Sequence, residues 1–157
     1  MDVTSKEILK RLFRQQRISS LGTLRDGTPF VSMVLFCEEP DFSAFYIHTS
    51  RLAHHTQDLI RDPRVGLMIA EMDTFESDPQ ALARISIRGE GSALVRNSPE
   101  YESAKALYLT KFPYTTENFG LADFGLYIIQ PHSARFVAGF GKIFNLLSAD
   151  LKDAARD

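Results

Sequence analysis

The sequence predicts a mainly β fold: a closed, predominantly antiparallel barrel of six or seven strands with appended helices. Three observations carry this. After residue 17 the chain breaks into short β-prone runs. Those runs are joined mostly by hairpin-type turns, of which Arg25-Asp26-Gly27-Thr28 is the clearest, because glycine accepts the positive φ of a tight primed turn. The helical patterns fall at irregular intervals, whereas a doubly wound parallel sheet alternates strand with helix.

The elements follow in order. Ile8, Leu9, Leu12 and Phe13 recur at helical spacing among Lys6, Lys10, Arg11 and Arg14, with Thr4 or Ser5 placed to cap the start. This predicts an amphipathic helix within residues 1–17. Ser19–Leu24 and Pro29–Cys37 form the first hairpin. After a turn at Glu38-Glu39-Pro40-Asp41, Ala44–His48 pairs back on the second strand as a meander. Leu52, Thr56, Leu59 and Ile60 mark one face of a short helix that stops at Asp62-Pro63, since the residue before proline avoids the α region. Val65–Ala70 is an apolar strand expected to be buried on both faces, and polar residues Glu71–Gln80 connect it to the next. Arg84–Val95 alternates apolar and polar side chains around Gly89 and Gly91, the pattern of a long strand with a bulge or bend. Ser98-Pro99-Glu100 supplies a cap, an N1 proline and an early acid for a helix reaching about Leu109. Phe124–Ile129 and Ala134–Phe140 are two strands joined by a turn at Pro131-His132-Ser133. Lys142–Leu147 extends the last strand, and Asp150–Ala155 reads as a frayed helix. The expected organisation is one domain over 1–157, with a barrel over 18–147 and a C-terminal tail over 148–157.

Composition narrows the function classes. Hydrophobic residues make up 44% and charged residues 24% of the 157, ordinary values for a globular chain. A net charge of -2 with scattered basic residues argues against nucleic-acid binding and offers nothing to a polar membrane surface. Cys37 is the sole cysteine and lies beside the apolar run Val31–Phe36, so it is expected to be a buried, inert thiol. Met1–Lys6 leads into an amphipathic pattern rather than a signal-peptide core, and no stretch reaches transmembrane length. A reducing, cytoplasmic setting is the expectation.

The most chemical segment is His48-Thr49-Ser50-Arg51-Leu52-Ala53-His54-His55-Thr56. A strand ends near His48, Ser50 is placed as an N-cap, and the helical N–H groups that follow lack intrahelical partners. Such a terminus attracts an anion. Arg51, His54 and His55 put cationic or hydrogen-bonding groups where a plain helix would carry acids, so the segment is read as a phosphate site. The competing reading is an ordinary capped helix with a solvated basic end. Metal binding has little support, since adjacent His54 and His55 diverge on a helix. Gly139-Phe140-Gly141-Lys142 fails the P-loop pattern, with Phe136 where glycine and Ile143 where Ser or Thr would be needed. No Gly-x-Ser-x-Gly elbow is present. A site that binds its chemistry as a cofactor is what remains.

Leu21–Pro29, Val31–Phe36, Ile47–Thr56 and Asp62–Val65, followed by Arg84–Gly89 and Ala134–Gly141, resemble in order and spacing the pyridoxamine 5'-phosphate oxidase-like, FMN-binding split-barrel proteins. The likeness is strongest to their heme-utilisation-related branch and covers about residues 17–147. The resemblance implies a split barrel of the FMN-binding type, forming a homodimer with FMN between protomers. Ser32, Met33 and Val34 match the strand that lines the flavin ring and ribityl chain, with simple core packing as the competing reading for Met33 and Val34. His48 and Thr49 match the strand end beside the ring; Ser50, Arg51 and Ala53 lead to His54 and His55, which match the phosphate-holding pair. Lys142, in the glycine-rich Gly139–Lys142, would approach from the partner chain.

Three departures bear on activity. Vitamin-B6 oxidases carry Arg-Lys where this chain has His54-His55, whose charge varies near neutral pH. Arg135 is followed by Phe136 and Val137, not by the oxidases' Arg-x-His motif. Longer heme-utilisation relatives carry a further C-terminal domain for which this sequence has no room. The leading expectation is an FMN-dependent oxidoreductase acting on an unidentified small molecule, with no protein acid or base assigned. The alternatives are a heme-binding or heme-degrading protein with His48 or His132 as axial ligand, and a non-catalytic flavin-binding module.

Overall fold

In the computed structural model, which describes residues 1–156, helix α1 (Val3–Gln15) leads into β1 (Ile18–Arg25) and β2 (Thr28–Leu35). Asp26 and Gly27 take positive φ (52° and 76°) and close these strands as the expected antiparallel hairpin. The chain continues through β3 (Cys37–Glu38), β4 (Phe45–Ser50), α2 (His54–Arg61), β5 (Arg64–Ala70), β6 (Arg84–Ala93) and α3 (Pro99–Lys111). It ends with β7 (Phe124–Gly139), β8 (Lys142–Leu147) and α4 (Ser148–Ala155). All eight strands form one antiparallel sheet in the order β2-β1-β5-β6-β7-β4-β3, with β8 also on β7. The sheet curls around an apolar core and makes a half-barrel.

The hydrophobic period explains the curl. β1, β5 and β6 alternate buried and open positions, so Leu21, Leu67, Ile85 and Ile87 line one face. The strand Val65–Ala70 is therefore buried on one face, with Met68 open to solvent, because no helix covers its other side. Leu9, Leu12 and Phe13 of α1 plug the core, and Phe13 packs edge-on against Phe42 and Phe45 at 4.8 and 5.0 Å between ring centroids. Burial of each such side chain is worth ~1.5–3 kcal/mol. The chain after 147 is a helix packed through Leu151 and Ala154, not a frayed end. Asp2 caps α1 by accepting from the Ser5 N–H, in place of Thr4 or Ser5. Ser98 caps α3 as expected and Pro99 starts it.

The meander holds only at its end. Cys37, the last residue of the expected second strand, pairs with Tyr46 in the short β3–β4 ladder, whereas β2 does not pair with β4, whose long partner is β7. Nor is Pro131-His132-Ser133 a turn: β7 runs through it unbroken for 16 residues. The irregularity lies in its pairing with β6, where Gly89 opposes Pro131 and the preceding Arg88 opposes Ser133, so His132 is the extra residue of a β-bulge. Before the bulge β7 pairs with β4; beyond it the same edge pairs with β8. β8 folds back on β7 through Phe140-Gly141 and does not extend it.

β4 and the first half of β7 have a second core on their other face, under α3 and the 3₁₀ segment Pro113–Gly120. His48 belongs here. Its ring stacks on Phe119 at 3.8 Å and 7° between planes, with Tyr108 and Phe124 around it, and its Nε2 is buried without a partner. Burial pushes its pKa down to about 4, aided by Arg96 and Lys105.

Two outcomes follow from this packing. A Cβ at Gly89 would stand 2.3 Å from the Gln130 carbonyl oxygen, whereas one at Gly120 meets nothing within 4 Å. Gly89→Ala should lower unfolding free energy in urea by roughly 1–3 kcal/mol, with Gly120→Ala near neutral. For His48, the unfolded chain takes up a proton near the ordinary value of 6.5 while the folded chain resists until about 4, so its contribution to stability is lost as pH falls across that window. His48→Phe should gain on wild type as pH drops from 6.5 to 4; a pH-independent difference between them contradicts this.

Candidate functional site

At the start of α2 the predicted residues only partly converge. α2 begins at His54 with Ala53 as its N-cap residue, which offers no side-chain hydrogen bond. Ser50 is therefore not the cap. Its hydroxyl donates to Asp123 and accepts from the Leu52 N–H, holding the turn that separates β4 from α2. Arg51 also leaves the helix start, its guanidinium donating to the Ala122 carbonyl at 3.1 Å. Thr49 does stay, its Oγ1 lying 2.9 Å from that of Thr56 on α2.

The His54 ring approaches Phe30 of β2 at 5.8 Å and, with Arg25 and Asp58, lines a hollow of about 370 Å³. Asp58, fully buried on α2, accepts from Arg25 Nε at 2.6 Å and Thr23 Oγ1 at 3.2 Å. His55 is half-buried with Nε2 unpartnered, and burial holds its pKa below the ordinary value, with Asp58 opposing that shift. Thr49, Ala53, His54 and His55 are thus neighbours. Arg25, the permanent cation lining the hollow among the described residues, has its charge met by Asp58.

The other predicted residues lie elsewhere. β2 alternates, so Val34 enters the barrel core while Met33 is 69% exposed on the outer face, and Ser32, on the same face as Val34, is half-buried. His48 sits in the second core, on the opposite face of β4 from Thr49. Lys142 lies beyond the turn into β8, with Nζ 4.0 Å from an Asp2 carboxylate oxygen.

A second place was not anticipated. The outer face of β2, β1, β5 and β6 carries no helix among the described residues, and on it lies a groove of about 510 Å³ floored by Gly22, Gly66 and Val31. Arg64, Arg88, Glu90 and the bulged, solvent-exposed His132 also line it. Arg64 is held by Asp62 through two hydrogen bonds, of 2.9 and 2.6 Å. Arg88 has no carboxylate within 4.0 Å among the described residues, and it also borders an adjoining hollow of about 560 Å³ with Arg135 and Asn145. A flat apolar floor, one free imidazole and one free guanidinium suit a planar apolar molecule bearing an anionic group. The signal for this groove was present in the glycines at 22, 66 and 89 and in a proline inside a strand, which marks a bulge as readily as a turn. No group of three or more metal-ligating side chains occurs among the described residues, and none of their helices is long and apolar enough to cross a membrane.

Comparison with known proteins agrees with this architecture. A family model described as pyridoxamine 5'-phosphate oxidase matches residues 5–138. The chain is 28% identical over 144 residues to the heme oxygenase HutZ of Vibrio cholerae, covering 90% of this chain and 81% of that one. It is 30% identical over 128 residues to the chloroplastic heme oxygenase HOZ of Arabidopsis thaliana, covering 81% of this chain but 37% of that one. Among solved structures, HutZ, described as a heme storage protein, superposes with a TM-score of 0.71 at 26% identity, over 88% of this chain and 91% of that one. A heme-binding protein from Mycobacterium smegmatis shares the fold with a TM-score of 0.84 at 22% identity, over 98% of this chain and 61% of that one. A half-barrel of this topology and a match through most of its length place the chain in the pyridoxamine 5'-phosphate oxidase family.

Proposed function

We propose that this protein binds heme in the groove on the outer face of its sheet, where His132 would hold the iron and Arg88 would balance a carboxylate of the ring. The observation that carries this reading is the bulge: it lifts one imidazole out of strand β7 beside an apolar floor and an unpaired guanidinium. His48, the other histidine considered for iron, is unsuited, because Phe119 lies flat against its ring at 3.8 Å. The heme oxygenases among the relatives support heme as the bound group. Bound heme supplies iron-centred redox chemistry. The chain's own part is to bury one ring face on Gly22, Gly66 and Val31, to offer a nitrogen at His132 and to balance a carboxylate at Arg88. Degradation of the ring, the activity named for HutZ and HOZ, is the enzymatic form of this proposal.

Val31, Met33 and Met68 lie 66, 69 and 41% exposed on the same face. A second copy of the chain covering them would place the cofactor at a homodimer interface, where Lys142 of one protomer could approach the other's groove. The buried Cys37, its thiol pushed up to about 12 by burial, suits a reducing cytoplasmic setting.

An FMN-dependent oxidoreductase is the second reading. It rests on the hollow beside His54 and on the unpartnered Nε2 of His55 and Nη2 of Arg25. It is the weaker one because a phosphate there would meet Asp58 and a histidine whose protonation burial disfavours.

Hemin titrated into the protein should give a saturable, imidazole-type Soret band. His132→Ala should lose that spectrum and weaken binding by about tenfold or more, equivalent to ~1.4 kcal/mol. An unchanged spectrum in His132→Ala sinks the ligand assignment. If FMN fluorescence is instead quenched, and His54→Ala/His55→Ala weakens FMN far more than riboflavin, the flavin reading takes its place.

A further inference from the structure

Arg51 and Arg96 come from different parts of the chain and meet over the segment 121–125, away from both places described above. Arg51 donates one guanidinium nitrogen to the Ala122 carbonyl at 3.1 Å, and Arg96 donates one to the Leu121 and Phe124 carbonyls at 3.1 and 2.9 Å. Neither has a carboxylate within ion-pair distance among the described residues, although Arg11, Arg25 and Arg64 each have one. The carboxylate of Asp123, in the same segment, accepts from the Ser50 hydroxyl. Each guanidinium carries five N–H donors in a planar fork, so most remain available.

Both arginines line one hollow of about 300 Å³ together with Leu94 and Phe124, which are partly open, and with the buried Tyr101, Leu126 and Tyr127 behind them. The Tyr127 hydroxyl is within the field of Arg51, which opposes the upward push that burial gives its pKa. Gly125, also in the lining, lies close to Tyr127: a Cβ there would stand 3.3–3.4 Å from the Tyr127 ring and hydroxyl. Pinning the 121–125 segment would need one arginine. A second one, placed across an apolar hollow with its donors unspent, points to a ligand.

We propose that this hollow binds a small organic oxyanion, a carboxylate or phosphate monoester on an apolar body, clasped between Arg51 and Arg96. The fork of each guanidinium meets the oxygens, and Leu94 and Phe124 take the apolar body.

Phenyl phosphate, benzoate and inorganic phosphate titrated into the full chain, followed by amide NMR shifts, test this. Saturable one-site binding of phenyl phosphate or benzoate is expected, with shifts at residues 51, 96 and 125–127. Arg51→Gln or Arg96→Gln should weaken it about tenfold or more, as expected for loss of a charge-assisted hydrogen bond, while Arg→Lys retains part. Which probe binds tighter separates a carboxylate from a phosphate source. Should Arg96→Gln fail to fold, Arg51→Gln decides alone, since its one side-chain bond is to an exposed carbonyl. The proposal is overturned by absence of saturation at ~10 mM, well beyond the 1 mM of a weak site, by binding indifferent to the substitutions, or by inorganic phosphate binding as tightly as phenyl phosphate.

Discussion

The bulge between β6 and β7 is the constraint on which the rest of the structure depends. Gly89 has no side chain because the Gln130 carbonyl occupies the space where a Cβ would be. Pro131 has no N–H to lose at the place where the ladder slips. One extra residue then bends β7, and the bend lets a single strand serve two neighbours along one edge, β4 before it and β8 after it. Without it the sheet would have no means of curling around Leu21, Leu67 and Ile87 while still carrying β4 beyond β7.

The same bend sorts the surfaces. Where β7 pairs with β4, helix α3 covers the outer face and buries His48 among Tyr108, Phe119 and Phe124. Where β7 pairs with β8, the outer face stays bare and continues across β6, β5, β1 and β2, with Met33, Met68 and Val31 open. His132 stands at the junction. A histidine on the covered half is locked neutral in an aromatic box; a histidine on the bare half lines a groove. The choice between two candidate iron ligands is therefore a matter of which side of the bend each one falls on.

What was legible in the sequence was what a few adjacent residues determine. Asp26-Gly27 set its hairpin and Ser98-Pro99 its helix start, because φ preference and capping act within a turn. The partner of β4 was not legible, since neighbouring strands usually pair and only the curl of the whole sheet brings β7 there instead. Proline at 131 was ambiguous for a different reason: the same missing donor suits a turn and a bulge, and Gly89 some 40 residues earlier decides between them. At the α2 start the residue types suggested an anion cradle, yet Ser50 and Arg51 turn toward the 121–125 segment, and Asp58, one turn into the helix, brings a buried negative charge. Family resemblance located the fold correctly, while the directions in which Ser50, Arg51 and Met33 point are not encoded in spacing.

The central claim is that the cofactor lies on the bare half of the sheet. Ferric heme broadens amide signals of nearby residues, so an NMR spectrum of uniformly labelled protein with one equivalent of hemin tests it directly. The account predicts selective loss of signals from Gly22, Gly66, Gly89 and His132, with Thr49, His54 and the α3 residues around Tyr108 unaffected. Broadening centred on the start of α2, or on the His48 core, would contradict it.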